Sequence, residues 1–396
     1  MNKKKIFNDP VYGFIRFPFD MLYDLINHPY FQRLRRISQM GLSHYVYPGA
    51  LHTRFHHAIG ALHLMTRAIE SLRYKQIEIS DDEYEAVCCA ILLHDIGHGP
   101  FSHALEGKIV TVHHEALSLA YMETLNIEFD GRLNLAISIF KNEYHKSFLH
   151  QLVSGQLDMD RMDYLNRDSF FTGVAEGVIG YDRIIEMLNV VDDQLVIEEK
   201  GIYSIEKFLI ARRIMYWQVY YHKASVAAEY MLILFYTLLK EAQIQTPSTY
   251  LQYFLAKEKF ALTPELIHQH SQIDDIDILF TIKEQKSSSN KLIQLISESI
   301  LDRKLFSCHI SNEPFNSDFK DKLRLNLTEH YVIPSSDASK LICEGKEEKF
   351  AYNQTKNEIL ILKKDGSTIK YSEASDFNIE NRNTIKYFLC HPKIKC

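Results

Sequence analysis

The stretch ILLHDIGHGP, residues 91–100, is the segment from which the organisation of this chain can be inferred. An apolar run leads directly into His94 and Asp95, and the glycine at position 97 then favours the end of a helix. Adjacent side chains on a regular helix point about 100° apart, but where a helix ends both can face one ion. A His-Asp pair that only caps the helix would have the same sequence as a pair that binds a metal ion. Additional candidate ligands elsewhere in the chain are therefore needed to choose between a cap and a metal site.

Histidines and carboxylates that suit a metal ion recur around this stretch. Nine of the 19 histidines fall between His52 and His114. A second histidine pair, His56 and His57, lies at the start of a predicted helix, and the segment QLDMDRMDYLNRD, residues 156–168, carries several closely spaced aspartates. Imidazole nitrogen and carboxylate oxygen together suit Mn, Fe, Co, Ni, Zn or Mg. A solvated helix face is the alternative interpretation of the aspartates.

Apolar residues repeat at three- and four-residue spacing through most of the chain, which predicts a mainly α-helical fold. Predicted helices cover 20–40 in two short pieces, 54–72, 82–96, 102–108, 113–125, 131–140, 146–153, 156–165, 181–189, 204–240, 247–256 and 288–302. A hairpin is predicted at 190–203 and a loop at 282–290. Alternating β-branched and aromatic residues near the end of the chain predict a small α+β C-terminal subdomain over 320–396.

Composition argues against several classes of partner. Lys and Arg total 45 against 51 Asp and Glu, so the net charge of −6 offers no general attraction for nucleic acid or an anionic membrane. No window reaches the roughly 18 uncharged apolar residues that a membrane span needs, and no apolar signal segment follows the basic N-terminus. The six cysteines form no CxxC pair, which favours reduced thiols and a cytoplasmic location.

Four motifs together resemble those of the HD-domain phosphohydrolases, and in particular the branch that hydrolyses deoxynucleoside triphosphates (dNTPs). The motifs are YPGALHTRFHHAIG at 47–60, LLHDIGHGPFSHALE at 92–106, HHE at 113–115 and DMDRMDYLNRD at 158–168. The resemblance covers about residues 7–240. It implies an HD-type helical catalytic domain over 1–300, with its core motifs at 47–168 and a substrate-pocket helix at about 204–240.

The resemblance implies that His57, His94, Asp95 and Asp160 bind a divalent metal ion. Relatives often carry an acidic residue at the position of His56, so the choice of His57 over His56 comes from the alignment of motifs alone. Two imidazoles and two carboxylates accommodate several ions, which leaves the identity of the metal open. The neighbouring aspartates at 158 and 163 would support the ligands or the helix.

The resemblance also assigns residues to catalysis and to the substrate. Proton transfer or phosphate contact is assigned to His98, His103, His114 and Glu106. Phosphate binding is assigned to Arg54, Arg161, Arg212 and Lys223. Contacts with the sugar, the base or the phosphates are assigned to Gln39, Met40, Tyr164, Asp168, Tyr216 and Tyr220. For each histidine taken alone, and for Met40 and Tyr220, a role in the core is the alternative.

Regulated members of the family hold an activating nucleotide in a segment similar to NHPYFQRLRR, residues 27–36. Gln32 and Arg35 of that segment are retained here, whereas Asn27 replaces an acidic residue. The family commonly forms dimers and tetramers, so a homo-oligomer is expected. The apolar stretch 203–240 would serve either as an interface or as an internal core helix.

The reaction that the resemblance implies is metal-dependent hydrolysis of a dNTP to a deoxynucleoside and triphosphate. One alternative is an HD phosphohydrolase that acts on a monophosphate, a cyclic or alarmone nucleotide, or a nucleic-acid end. Such an enzyme would share the metal ligands but not a sugar pocket near them. The other alternative is a catalytically inactive scaffold that senses nucleotides.

Overall fold

The apolar run before His94 forms a buried helix in the computed structural model, which describes residues 5–102, 104–349, 358–376 and 384–394. This helix, α4 (Asp81–Leu93), begins with a capping box in which Ser80 and Glu83 exchange side-chain and backbone hydrogen bonds. Every residue from 86 to 93 is buried. A helix that is apolar on all sides belongs in the core, and α4 therefore fixes the HD pair inside the molecule.

The fold is mainly α-helical, as predicted. The bounds of the other helices in chain order are α1 (Asp20–Asn27), α2 (Pro29–Gln32), α3 (Arg54–Tyr74), α5 (His114–Glu128), α6 (Asn134–Phe140), α7 (Ser147–Val153), α8 (Met159–Thr172), α9 (Tyr181–Glu186), α10 (Ile202–Met215), α11 (Lys223–Glu241), α12 (Thr249–Leu255), α13 (Pro264–Gln272), α14 (Asp275–Glu284), α15 (Lys291–Leu301), α16 (Ser317–Tyr331), α17 (Ser335–Lys340) and α18 (Tyr371–Ala374). Helices α1, α3, α6 and α7 pack against α4. In the described part of the chain, none of these helices has the length and apolar composition of a bilayer-crossing segment.

The described residues also form three small sheets. Their strands are β1 (Phe7–Asp9), β2 (Gly13–Ile15), β3 (Leu188–Val191), β4 (Gln194–Glu198), β5 (Ser307–Ser311), β6 (Cys343–Lys349), β7 (Leu360–Leu362), β8 (Thr368–Lys370) and β9 (Thr384–His391). Strands β1 and β2 form an antiparallel pair, the second sheet has the order β3-β4-β7-β8, and the third has the order β5-β9-β6. Because β4 and β7 pair in parallel, backbone hydrogen bonds join the helical region to the C-terminal segment. The predicted division into a catalytic domain over 1–300 and a C-terminal subdomain over 320–396 stays a prediction.

The helix predicted over 204–240 is interrupted, and this correction bears on the site. Helix α10 ends at Met215, a π-helical turn spans Tyr216–Tyr220, and α11 begins at Lys223. The His222 side chain accepts a hydrogen bond from the backbone N–H of Ala224 and thereby starts the new helix. The register of side chains therefore changes between the two helices.

Two shorter predictions also need correction. Within the predicted helix at 102–108, the described residues Ser102 and 104–108 form turns instead, because Phe101 and Ser102 have φ of 50° and 41° and Gly107 has φ of 68°. The predicted loop at 282–290 instead contains the end of α14 and a 3₁₀ turn at Gln285–Ser287. The hairpin predicted at 190–203 is present as β3 and β4, and the chain is already helical from Ile202.

Candidate active site

Four side chains from three helical segments surround one point at the floor of a cleft. They are His57 of α3, His94 and Asp95 after the end of α4, and Asp160 of α8. The Nε2 atom of His57 lies 3.1 Å from Oδ1 of Asp160 and 3.7 Å from Oδ2 of Asp95. The Nε2 atom of His94 lies 3.5 Å from Oδ1 of Asp160 and 3.4 Å from Oδ1 of Asp95. The four predicted metal ligands thus converge.

The hydrogen bonds of the two imidazoles show whether this group fits a cation. Nδ1 of His57 donates to Oδ2 of Asp163 at 2.8 Å, and Nδ1 of His94 donates to the carbonyl oxygen of Ile91 at 2.6 Å. With Nδ1 protonated, each neutral ring presents an unprotonated Nε2. Both Nε2 atoms are buried, and no N–H or O–H group of the described residues donates to them. Lone pairs that face carboxylate oxygens repel, and a shared cation removes that repulsion, so the group fits a divalent metal.

The pKa values of the group shift in the directions expected around a positive charge. Burial alone would lower the pKa of His57, but hydrogen bonds to Asp160 and Asp163 outweigh it and raise the pKa to about 10. Burial would raise the pKa of Asp160, and hydrogen bonds with His57 and His94 outweigh it, so the pKa is lowered. The cluster therefore stabilises positive charge between the rings and the carboxylates, whether protons or a metal ion supply it.

The adjacent histidines 56 and 57 have different partners. Nδ1 of His56 accepts a hydrogen bond from the backbone N–H of Thr53 at 3.1 Å, which caps α3. His57 instead faces Asp160 on one side and Asp163 on the other. The geometry places His57, and not His56, in the cluster.

Asp163 belongs to a buried ionic network behind the cluster. Its carboxylate accepts hydrogen bonds from Nε and Nη2 of Arg167 at 2.9 and 3.0 Å, and Arg167 also donates to Asp9 at 2.8 Å. Helices α3 and α8 cross closely here because Gly60 has no side chain; a Cβ at that position would lie 2.8 Å from Cγ of Asp163. The network fixes the His57 ring through its second nitrogen.

Arg33 holds the loop that carries the HD pair, and sequence reasoning missed it. The Arg33 side chain is fully buried and its Nη2 donates to the carbonyl oxygens of Ile96 and His98, each at 2.9 Å. Its Nη1 donates to the carbonyl oxygen of Ile273. Carbonyl groups at a helix end need such donors, and a long buried guanidinium supplies several at once. In the sequence, only its place in the basic run at 33–36 drew attention to Arg33.

Above the cluster lies a cavity of about 400 Å³. Of the predicted phosphate-binding residues, Arg54 and Arg161 line it, whereas Arg212 and Lys223 are not among the described residues that do. Arg54, which is 2% exposed, donates to Ser102 Oγ and to Asp95, while its Nη2 has no partner among the described residues. Arg161 also lines the cavity and pairs with Asp158. Arg212 lies beside Tyr164, with Nε and Nη1 buried and unpartnered within the described chain.

Lys223 departs from its predicted place. It is exposed in the first turn of α11 and is not among the described residues that line the cavity. Lys223 lies near Cys308 instead. The pKa of the Cys308 thiol is lowered mainly by a hydrogen bond with Cys390, and the charge of Lys223 lowers it further. In a continuous helix Arg212, Tyr216, Tyr220 and Lys223 would share a face, and the break in the helix removes Lys223 from it.

Two of the predicted active-site histidines stack on each other beside Asp95. The ring centroids of His98 and His114 are 4.0 Å apart with an interplanar angle of 26°. Nδ1 of His114 is hydrogen-bonded to Oε1 of Glu106 at 2.5 Å, which orients the ring. His98 and His114 both line the cavity. His103 lies outside the described residues.

The residues assigned to the sugar and base line the same cavity as Asp160. They are Gln39, Met40, Tyr164, Asp168, Tyr216 and Tyr220. Asp168 is 2% exposed and accepts hydrogen bonds from the Tyr220 hydroxyl and from Nε2 of His52, both at 2.7 Å. His52 received no role from the sequence. Tyr164 and Asp168 follow Asp160 at intervals of four residues, so one face of α8 leads from the metal cluster to Asp168.

Tyr221, Glu229 and Glu347 also line the cavity and were not anticipated from the sequence. Tyr221 lies at the break between α10 and α11, and Glu229 lies within α11. Glu347 comes from β6, more than a hundred residues later in the chain. The adjacency of Tyr221 to Tyr220 was a signal for the first. No local pattern in the sequence distinguishes Glu347 from the neighbouring glutamates at 344 and 348.

The three residues assigned to an activating nucleotide lie near α2. The Asn27 amide donates to the carbonyl oxygen of Tyr23, and the Gln32 amide donates to that of Ile26. Arg35 donates to Oε1 of Gln32 at 2.9 Å. Gln32 and Arg35 therefore share one surface, and their role in nucleotide binding stays a prediction.

Known proteins resemble this chain over most of its length. A family model described as an HD associated region matches residues 179–253. A phosphohydrolase from Bacteroides thetaiotaomicron is 48% identical, with a TM-score of 0.94 over 99% of this chain and 100% of that one. The uncharacterized protein YwfO of Bacillus subtilis is 30% identical over 317 residues, 77% of this chain and 72% of that protein. The deoxynucleoside triphosphate triphosphohydrolase SAMHD1 homolog of Dictyostelium discoideum is 28% identical over 395 residues, 89% of this chain and 76% of that protein.

Proposed function

The chain belongs to the HD-domain phosphohydrolases, in the branch that includes deoxynucleoside triphosphate triphosphohydrolases, and we propose that it hydrolyses dNTPs to a deoxynucleoside and triphosphate. The observation that carries the proposal is one cavity that joins a two-histidine, two-aspartate cluster to placed arginines and to the Asp168–Tyr220 pair. Release of a deoxynucleoside and intact triphosphate requires cleavage between the α-phosphorus and the 5′ oxygen, which is the position of cleavage that the family resemblance implies.

His57, His94, Asp95 and Asp160 would hold the divalent cation that this family uses. The chemistry such a cation supplies when bound is Lewis acidity, which activates water and offsets charge on the phosphoryl oxygens. Asp163 and the carbonyl oxygen of Ile91 keep both imidazoles in the tautomer that presents Nε2. Several divalent ions accept this donor set of two imidazoles and two carboxylates.

The arginines bind and orient the triphosphate. Arg54 is held by Asp95 and Ser102, so its Nη2, which has no partner among the described residues, is fixed next to the cluster and can donate to a phosphoryl oxygen. Arg161 is fixed in the same manner by Asp158. Guanidinium groups that are already oriented stabilise developing negative charge without rearrangement during the reaction.

His114 would supply the proton that the departing 5′ oxygen requires. Its Nδ1 is bonded to Glu106, which leaves Nε2 as the nitrogen that can reach a substrate. His98 stacks on it at 4.0 Å and restricts the ring to this orientation. Asp168 and Tyr220 would receive the sugar. Their presence in the same cavity as Asp160 favours a dNTP over the other nucleotide substrates, and the intact cluster favours an enzyme over an inactive scaffold.

Product analysis tests the proposal. Purified protein supplied with Mn²⁺ is incubated with each dNTP and with GTP, singly and in pairs, and the products are separated by anion-exchange chromatography. We expect a deoxynucleoside and intact triphosphate, and a paired nucleotide that raises the rate would reveal an activator. Release of orthophosphate or pyrophosphate instead would contradict the proposed cleavage.

A matched pair of variants separates chemistry from folding. His57→Gln removes a ligand of the cluster and should abolish triphosphate release. His56→Gln keeps the cap of α3, because glutamine at this helix position can accept the same backbone hydrogen bond, and should retain activity. Equal activity in both variants would contradict the assignment of His57.

A further inference from the structure

Two carboxylates line the cavity at a place that the proposed reaction does not use. Glu229 of α11 and Glu347 of β6 lie there with Tyr216, Tyr220 and Tyr221. We propose that Glu229 and Glu347 form a nucleobase subsite that selects guanine. This inference rests on the proposed function, because that function places the triphosphate over the metal cluster and the base at the opposite end of the substrate.

Contacts lead from the helix that carries Asp160 to Glu347 in a continuous sequence. Along α8, Asp160 is followed by Asp168 at a distance of two turns, and Asp168 accepts the Tyr220 hydroxyl. The Tyr220 and Tyr216 rings are 5.3 Å apart, and the Tyr216 and Tyr221 rings are 6.1 Å apart and stacked. The Tyr221 hydroxyl then donates to Oε2 of Glu347 at 2.9 Å. Aromatic rings beside a polar edge are the surroundings that a base requires.

The packing of β6 on α11 fixes the position of Glu347. Gly345, two residues earlier and on the same face of the strand, allows the Tyr230 ring of α11 to approach; a Cβ there would lie 2.7 Å from Cζ of Tyr230. Glu347 therefore reaches the cavity from a strand that is held against the helix carrying Glu229. The side chains at these two positions are half-buried, so both carboxyl groups can meet a ligand in the cavity.

A second observation in the same cavity points independently to a ligand. Arg54 is 2% exposed and lines the cavity, yet its Nη2 atom has no hydrogen-bond partner within the described chain. A buried guanidinium donor without a partner costs free energy unless a ligand satisfies it. The cavity thus has a cationic end that suits phosphate and an acidic end that suits N–H donors.

The donor and acceptor pattern of the glutamate pair matches guanine. Burial and the charge of Glu347 raise the pKa of Glu229 to about 8, so Glu229 is mostly protonated at neutral pH. Protonated Glu229 offers one donor, and ionised Glu347 offers two acceptor oxygens. The guanine edge presents O6, N1–H and N2–H in that order, which is one acceptor followed by two donors. Thymine, adenine and cytosine each satisfy no more than two of the three positions.

Competition between substrates tests the inference. The full chain with Mn²⁺ receives an equimolar mixture of the four dNTPs, and the ratio of deoxynucleosides formed gives the ratio of kcat/KM values. We expect deoxyguanosine to exceed thymidine roughly tenfold, the selectivity of one bidentate carboxylate contact. Deoxyinosine triphosphate, which lacks the N2 amine, should lose most of this advantage.

Variants locate the selectivity in the carboxylates. Glu347→Gln removes the acceptor for N–H donors and Glu229→Ala removes the donor, so each should bring the deoxyguanosine-to-thymidine ratio close to one while metal binding persists. Glu344→Gln on the same strand is the control, because Glu344 is exposed and pairs with Lys320 at 3.0 Å. Equal hydrolysis of all four dNTPs by the wild type, or an unchanged ratio in both glutamate variants, overturns the base subsite but leaves the proposed reaction intact. Absence of hydrolysis of every dNTP overturns both.

Discussion

Substitution of Gly60 by alanine should lower the free energy of unfolding, whereas the same change in an exposed helix usually raises it. Gly60 lies within α3, where α3 crosses α8, and its Cα faces the Asp163–Arg167 ion pair. A methyl group at this position would overlap Oδ1 of Asp163 and Nη2 of Arg167 and would lie 2.8 Å from Cγ of Asp163. The backbone of α8 is fixed by the core, so the ion pair must move.

The size of the effect follows from two opposing contributions. In an exposed helix, glycine to alanine raises the free energy of unfolding by about 1 kcal/mol. Asp163 and Arg167 are fully buried, and disruption of a buried ion pair lowers the free energy of unfolding by about 3–5 kcal/mol. The net expectation for Gly60→Ala is therefore a loss of about 2–4 kcal/mol. Displacement of Asp163 also releases His57, which should weaken metal binding roughly 10- to 100-fold.

Urea unfolding of the metal-free protein and calorimetric titration with Mn²⁺ measure the two quantities. Gly180→Ala is the matched control, since Gly180 has φ of −83° and a Cβ there would meet no atom within 4 Å. The control should keep wild-type metal affinity and stability within about 1 kcal/mol. A Gly60→Ala protein that is as stable as the control and binds Mn²⁺ with unchanged affinity would refute the reasoning.

Three further predictions address the cluster and the cavity. Asp160→Asn removes a charged ligand and should weaken Mn²⁺ binding more than 100-fold in calorimetry while the far-ultraviolet circular dichroism spectrum is retained; unchanged affinity would exclude Asp160 as a ligand. Asp168→Asn removes one of the acceptors that serve Tyr220 and His52, and should raise KM for dNTPs roughly tenfold without changing metal affinity. Because the pKa of Glu229 is raised to about 8, its required protonated form is lost above that pH. KM for dGTP should then rise about tenfold per pH unit, and Glu229→Gln should abolish this rise.

The metal cluster was the part of the site most accessible from sequence, for a physical reason. His94 and Asp95 lie between an apolar run and a glycine, a local pattern that places both side chains where a buried helix ends. Asp160 and Asp168 are spaced to share a helix face, which periodicity alone can detect. The choice of His57 over His56 needed the structure, because the competing role of His56 as a helix cap depends on a backbone hydrogen bond.

The residues that sequence reasoning missed act through partners distant in the chain. Arg33 donates to the carbonyl oxygens of Ile96 and Ile273, and nothing in the basic run at 33–36 indicates which of its members turns inward. The misplacement of Lys223 has a different origin. Helical periodicity assumes a continuous helix, and the π-helical turn at Tyr216–Tyr220 changes the side-chain register just before α11 begins.

The separate origins of the two ends of the cavity have a functional consequence. Asp160, Tyr164 and Asp168 come from one helix, and α3 and the end of α4 complete the metal cluster, so chemistry depends on the packing of these helices. Glu347 comes from β6 in the C-terminal segment and contributes to the cavity through its contact with Tyr221. Changes in the packing of α3 on α8 should therefore impair hydrolysis of every dNTP alike. Changes in β6 at Glu347 should alter which base is preferred and leave metal binding unaffected, so base choice can change independently of the hydrolytic centre.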